Sequence, residues 1–214
     1  MEIIDLGLID HHEAEEIQLQ RLNAILEGKG SEALYLLEHP PVITLGRQGG
    51  LENLILSEDQ LEKQGIKVVK TRRGGNITCH YPGQLVVYPV MHIEKRRGGI
   101  KKFFSDMEET AIRTAKTFGV EAGRSEGRPG VWTEKGKLCS IGIGVRKWVT
   151  YHGLSFNISR DMSLFNAINL CGLKGAHPTS LSLEAGRDID ILEVKNVFKQ
   201  EFRRIFENTT VAQG

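Results

Sequence analysis

Residues 130–157 read GVWTEKGKLCSIGIGVRKWVTYHGLSFN. The run is punctuated by glycine and holds three short strands, GVWTE, KLCSIGIGV and VTYHGLSFNI, the last extending to Ile158. Tight turns join them. Toward the N-terminus, Asp10 to Gly28 reads as a helix. Ala14, Ile17, Leu22, Ile25 and Leu26 form its apolar stripe, Asp10 with Glu13 suits its start, and Gly28 its end. Glu32–Glu38 is a buried-strand run closed by His39-Pro40-Pro41, and Val42–Leu45 a second strand that stops at Gly46. Ser57 and Gln60 open a brief helix ended by Gly65, followed by a strand at Ile66–Lys70. Leu85–Tyr88 is another strand, with Pro89 marking an edge or an irregularity. Gly99–Phe118 has helical spacing at Phe103, Met107, Ala111, Ala115 and Phe118. Phe165–Ile168 reads as a helical turn, and Val194, Val197, Phe198, Phe202, Ile205 and Phe206 mark the last helix. Strands and helices mix without regular βαβ alternation, which predicts an α/β chain with a mixed, α+β-type sheet rather than a doubly wound one.

The composition narrows the function classes. At 214 residues, 40% of them hydrophobic, the chain can bury a core without disulfides or metal, and a single domain over 1–214 is expected. A formal net charge of +1 disfavours a dedicated nucleic-acid binder. There is no apolar run of membrane-spanning length, and the N-terminus turns acidic within a few residues, unlike a secretory signal. Three widely spaced cysteines without a C-x-x-C pair point to a reducing, cytoplasmic setting rather than to a disulfide framework or a zinc knuckle.

Two places carry chemistry. Arg72 to Gln84, RRGGNITCHYPGQ, is dense in glycine and polar residues. Paired glycines let backbone approach a ligand closely, and exposed N–H groups beside arginines suit anions or carbonyl oxygens. The blander alternative is a Gly-Gly turn with solvated arginines. The loop matches neither a Walker nor a G-x-G-x-x-G pattern. Elsewhere, Cys171 in Ile168-Asn169-Leu170-Cys171-Gly172 ends an apolar approach, where a thiol is either exposed or simply core. Cys139, inside the strand-like Leu138-Cys139-Ser140-Ile141, reads as buried, and Cys79 as a residue that could line a site without reacting. A reactive cysteine needs a neighbouring cation or base, for which Lys137, His80, His152 and His177 are the candidates. Taken by position alone, Lys137 is a solvated strand end and His152 a packed mid-strand residue. The histidines lack metal-ligand spacing, and neither metal nor cofactor is expected.

Taken together, the motifs resemble the lipoyl(octanoyl) transferases of lipoate biosynthesis. The matching pieces are Leu37-Glu38-His39-Pro40-Pro41 with Thr44-Leu45-Gly46-Arg47, and Arg73-Gly74-Gly75 with Thr78, His80 and Pro82-Gly83-Gln84. They continue through Pro129-Gly130-Val131-Trp132, Lys137-Leu138-Cys139-Ser140-Ile141-Gly142, His152-Gly153-Leu154 with Asn157, and Cys171-Gly172 with Thr179-Ser180-Leu181. The resemblance implies a fold like that of biotin and lipoate protein ligases, with a larger mixed sheet and a smaller one. It implies transfer of an octanoyl group from octanoyl-acyl carrier protein to a lysine of lipoyl domains, those of 2-oxoacid dehydrogenases and of the glycine cleavage H protein. By position it makes Cys171 the nucleophile and Lys137 its activating partner. Arg73, Gly74, Gly75, Asn76, Ile77, Thr78, Cys79 and His80 would bind the acyl substrate with Ser140, Ile141, Gly142, Gly153, Leu154 and Ser155. Leu138 and Leu170 stand where the family more often has Ile and Pro. The rivals are an ATP-dependent ligase on the same fold, for which Cys171 has no use, a non-catalytic module that holds an acylated carrier, and a Cys–His hydrolase. Lys95-Arg96-Arg97 with Lys101-Lys102 is either a solvated face or a dock for an acidic carrier protein.

Overall fold

The computed structural model describes residues 1–94, 98–170 and 177–207. The chain opens with a strand the sequence reading passed over, β1 (Glu2–Leu8), and continues with α1 (His11–Leu26), β2 (Ala33–Glu38) and β3 (Val42–Leu45). Then come α2 (Glu58–Lys63), β4 (Lys67–Lys70), β5 (Ile77–His80), β6 (Gln84–Val90) and α3 (Gly99–Thr117). The second half holds β7 (Gly123–Ser125), β8 (Arg128–Trp132), β9 (Lys137–Arg146), β10 (Val149–Asn157), α4 (Leu181–Ala185) and α5 (Ile191–Glu207). The expected capping box at Ser57 and Gln60 is present, and the Asp10 side chain accepts from the His12 N–H to start α1.

Seven strands form one sheet in the order β1-β2-β6-β10-β9-β8-β7, and three form another in the order β4-β3-β5. Each sheet mixes parallel and antiparallel neighbours: β1 runs parallel to β2 and β4 to β3, the other pairs being antiparallel. The mixed α/β architecture with a larger and a smaller sheet is therefore as expected. Alternation along β2 and β6 divides the large sheet's core in two. Leu34, Leu36, Leu85 and Val87 face α3 and α5, where Phe103, Phe198, Phe202 and Phe206 pack. Tyr35, Leu37, Val86 and Tyr88 face α1. A third cluster beneath the small sheet joins Ile43, Leu45, Ile77 and Cys79 to Phe165 and Ile168.

The sequence reading left Ile77–His80 inside a loop, and the structure corrects this. Ile77 and Cys79 sink into the third core cluster, so the segment gains enough burial to pair with β3. Its alternation was masked by the polar partners Thr78 and His80, which are themselves buried. Pro89 does mark an irregularity. The β6–β10 pairing runs from Gln84 to Val87 and stops short of it. Beyond, the Thr150 hydroxyl donates to the Pro89 carbonyl at 2.7 Å. In the gap His152 adopts φ 55°, unusual for a residue with a Cβ. The turn from β9 to β10 is equally tight, with Lys147 and half-exposed Trp148 both at positive φ.

Gly153 follows that kink, and a Cβ there would lie 2.1 Å from the Val87 carbonyl oxygen and 2.8 Å from Pro89 Cδ. Because both obstacles are held by the sheet, Gly153→Ala is expected to destabilise the fold by about 3 kcal/mol. The measurement is the urea midpoint at unchanged slope; a shift below about 0.5 kcal/mol would show that β6 and β10 part easily here.

Candidate functional site

A cavity of about 260 Å³ is walled by both sheets. On the large sheet the cross-strand pairs Ser140–Ser155 and Gly142–Gly153 line it, so the smallest side chains of β9 and β10 stand opposite one another. Ile77, Thr78 and His80 of β5 form the facing wall, with Arg73, Gly75 and Asn76 of the glycine loop. The loop is held down by its own backbone. The Gly74 N–H donates to the Ile143 carbonyl at 2.9 Å, and the N–H groups of Gly46, Arg47 and Gln48 donate to the carbonyls of Asn76, Arg73 and Gly75. The Gly74 N–H is thus committed to β9, which removes it as a donor to a substrate oxyanion.

Lys137 begins β9 and is no solvated strand end. It is 5% exposed, lines the cavity, and holds its Nζ 5.2 Å from the Trp132 ring centroid, within cation–π range. Its backbone is fixed as firmly: its N–H donates to the His177 carbonyl at 2.8 Å and its carbonyl accepts from the Thr179 N–H at 3.0 Å. A Cβ on Gly130, which sits at φ 109°, would lie 2.3 Å from the Cys139 carbonyl oxygen and 3.0 Å from Lys137 Cε, so this glycine lets β8 close on β9 beside the lysine side chain. Cys171, the expected nucleophile, lies outside the described residues.

Of the expected binding residues, Arg73, Gly75, Asn76, Ile77, Thr78, His80, Ser140, Ile141, Gly142, Gly153, Leu154 and Ser155 all line this one cavity, whereas Gly74 and Cys79 do not. Cys79 points to the opposite side of β5, into the core. Burial pushes the thiols of Cys79 and Cys139 well above the ordinary range, so neither is a nucleophile. His177 is exposed and joins the site through its carbonyl. Of the basic cluster, residues 95–97 lie outside the described residues, Lys101 is exposed, and Lys102 pairs with Asp106 one turn on.

Sequence reasoning did not find the wall contributed by His11, Tyr88 and Arg128. His11 and Tyr88 belong to a buried cluster with His39, His80 and His152, whose rings lie 5.2 to 6.5 Å from that of His11 in the three His–His pairs it makes. The His39 Nδ1–H donates to the Ile9 carbonyl at 2.8 Å, leaving Nε2 to accept from the Tyr88 hydroxyl at 2.9 Å. Desolvation, with repulsion from neighbouring rings and Arg73, lowers His11 to about 4 and His152 to about 3, and burial also lowers His39 and His80. These imidazoles are neutral at pH 7. Among the described residues, no cluster of three or more His, Cys, Asp or Glu suits a metal ion, and no helix is long and apolar enough to cross a membrane.

The chain matches the family described as lipoyl protein ligase A/B catalytic domain over residues 10–203. It is 73% identical over 212 residues to the octanoyltransferase of Maridesulfovibrio salexigens, with 99% of each chain covered. To the octanoyltransferase of Nitratidesulfovibrio vulgaris strain DP4 it is 54% identical, covering 99% of this chain and 97% of the relative. Its fold is similar to that of lipoate-protein ligase A bound with ATP, at TM-score 0.77 and 16% identity over 96% of this chain and 85% of the other. It is also similar to the Aquifex aeolicus biotin protein ligase in complex with biotin and ATP, at TM-score 0.59 and 12% identity, covering 99% and 73%.

The buried histidines set an acid limit. An unfolded His11 takes up a proton near the ordinary imidazole value of 6.5 and the folded one only near about 4, so between these values the unfolded state binds more protons. Stability is therefore full above about pH 6.5 and falls as pH drops toward 4, by on the order of 3 kcal/mol for His11 alone. The groups facing it are His39, His80, His152, Asp10, His12 and Arg73. His11→Phe should flatten the fall in thermal midpoint across this window, and an unchanged slope would remove His11 as its source.

Proposed function

We propose that this chain, which belongs to the octanoyltransferases of the lipoyl protein ligase A/B catalytic-domain family, moves an octanoyl group from octanoyl-acyl carrier protein to the lysine of a lipoyl domain, through Cys171 and Lys137 and without ATP. The observation that carries the reading is Lys137 itself. It is a buried amine lining a cavity floored by small residues, with its backbone paired to residues 177–179, just downstream of Cys171 in the chain.

The chemistry balances without a further co-reactant. Lys137 Nζ takes the Cys171 thiol proton, and the thiolate attacks the donor's thioester carbonyl. The new C–S bond forms as the carrier's thiolate leaves with the proton held by Lys137. One thioester replaces another, so the step is nearly thermoneutral. In the second half the acceptor lysine must first lose a proton. With a pKa near 10.4, less than about 0.1% of it is neutral at pH 7, a cost of about 5 kcal/mol. Lys137, neutral again after the first half, accepts that proton. The amine attacks the acyl carbon, the Cys171 thiolate leaves and takes up the proton that the new amide nitrogen sheds, and Lys137 releases its proton to solvent to restore the starting state. Amide formation from a thioester drives the sequence forward. The cavity between β5 and the β9–β10 pair holds the alkyl chain away from water. The acceptors are the lipoyl domains of 2-oxoacid dehydrogenases and the glycine cleavage H protein, and the setting is the cytoplasm.

Transfer should proceed from octanoyl-acyl carrier protein in the absence of ATP, and intact-protein mass spectrometry should show one octanoyl group on the wild type and none on Cys171→Ser. Cys171→Ser and Lys137→Met should each cut transfer by about 1,000-fold or more. Strict ATP dependence, or full activity of Cys171→Ser, would overturn the reading.

A further inference from the structure

A run of buried polar side chains crosses from the glycine loop to Lys137. Arg73 donates through Nε at 3.2 Å and Nη2 at 2.9 Å to the Thr44 hydroxyl oxygen. Thr44 Oγ1 lies 3.4 Å from His80 Nε2, and His80 Nδ1 lies 2.7 Å from Gln84 Oε1. Gln84 Nε2 donates to Asn157 Oδ1 at 2.8 Å, and Asn157 Nδ2 to the Thr179 carbonyl at 3.0 Å and the Lys137 carbonyl at 3.5 Å. All five side chains are at most 8% exposed.

The donors and acceptors can be ordered in only one sense. A guanidinium never accepts, so Thr44 must receive from Arg73 and give its own proton onward to His80 Nε2. His80 is then the tautomer that carries its proton on Nδ1, donating to Gln84 Oε1. That turns the Gln84 amide so that its NH₂ faces Asn157, and turns Asn157 so that its NH₂ faces the two carbonyls. Those carbonyls belong to the two backbones joined at Lys137, the start of β9 and the 177–179 segment. In so dry an environment a half-satisfied chain is costly, so its members hold one another in place.

We propose that this one-way hydrogen-bond chain fixes the placement of Lys137, with Asn157 and Gln84 as its positioning residues and Thr44 and His80 as the links that tie it to the glycine loop. The proposal rests on the Cys171–Lys137 reading above and adds to it a set of residues that touch no reacting atom.

The test uses the full-length enzyme and reads the pH dependence of Cys171 alkylation by iodoacetamide, with the modified residue assigned by peptide mass spectrometry. Cys79 and Cys139 are fully buried and do not compete. Asn157→Leu should raise the alkylation midpoint by about one pH unit and lower kcat by about 30-fold, while KM for octanoyl-acyl carrier protein stays within about threefold. Thr44→Val, which removes one hydroxyl at the far end of the chain, should move both quantities in the same direction by a smaller factor, and serves if Asn157→Leu does not fold. Folded variants with the wild-type midpoint, or with KM and kcat altered and the midpoint unmoved, would overturn the proposal. Lys137→Met separates the two layers. If it raises the midpoint and Asn157→Leu and Thr44→Val do not, positioning by the chain is wrong; if it leaves midpoint and transfer unchanged, the Cys–Lys reading itself falls and the proposal with it.

Discussion

The two sheets meet backbone to backbone, at positions where neither chain has room for a Cβ. A methyl group on Gly142 of β9 would lie 2.7 Å from the Gly74 carbonyl oxygen, while on the small sheet's own side one on Gly46 would lie 2.3 Å from the Gly75 carbonyl oxygen and disturb the seat of the loop. Those contacts let the Gly74 N–H reach the Ile143 carbonyl and close the loop onto β9. Close approach of this kind is what glycine permits and other residues forbid. The cavity wall, the burial of Arg73 and the distance between β5 and the Ser140–Ser155 floor all follow from it. A side chain inserted at Gly142 would push the loop off β9 and open the cavity to water.

Electrostatics within this closed space run opposite to the composition. The chain is nearly neutral overall, yet its buried polar region gathers a guanidinium, a lysine side chain and four imidazoles. The imidazoles adapt by staying neutral, each losing affinity for its proton as water is withdrawn. Arg73 cannot adapt in that way, and instead its N–H groups meet the Thr44 carbonyl, the Thr44 hydroxyl and the Gly74 carbonyl. Fixed dipoles replace solvent, and the tautomer of His80 follows from that one unchanging donor through Thr44.

Much of the fold was legible because its signals are local. The stripe on α1, the Ser57–Gln60 capping box and the β9–β10 runs declare themselves within a few residues. The strand β5 did not, because Thr78 and His80 look like loop residues until the cavity they face is known. The short β7 carries no pattern at all. For the site, twelve of the fourteen binding residues expected from the family resemblance meet in one cavity. Cys79 fails to reach it because strand alternation turns it the other way, which a loop assignment could not foresee. His11 escaped notice because an N-terminal helical turn gives no hint of what packs across from it. Gln84 and Asn157 were visible only as motif letters, since a hydrogen-bond partner 73 residues away leaves no trace in spacing.

The contact between Lys137 and Trp132 has an optical consequence. An indole emits according to the polar groups around its ring, and this ring lies beneath the Nζ atom of Lys137. The chain contains two tryptophans, and the other, Trp148, is half exposed on the β9–β10 turn, where quenchers dissolved in the solvent reach it. Quenching that emission isolates the signal of Trp132, which is 9% exposed. The protein thus contains its own spectroscopic reporter, placed against a side chain that lines the cavity.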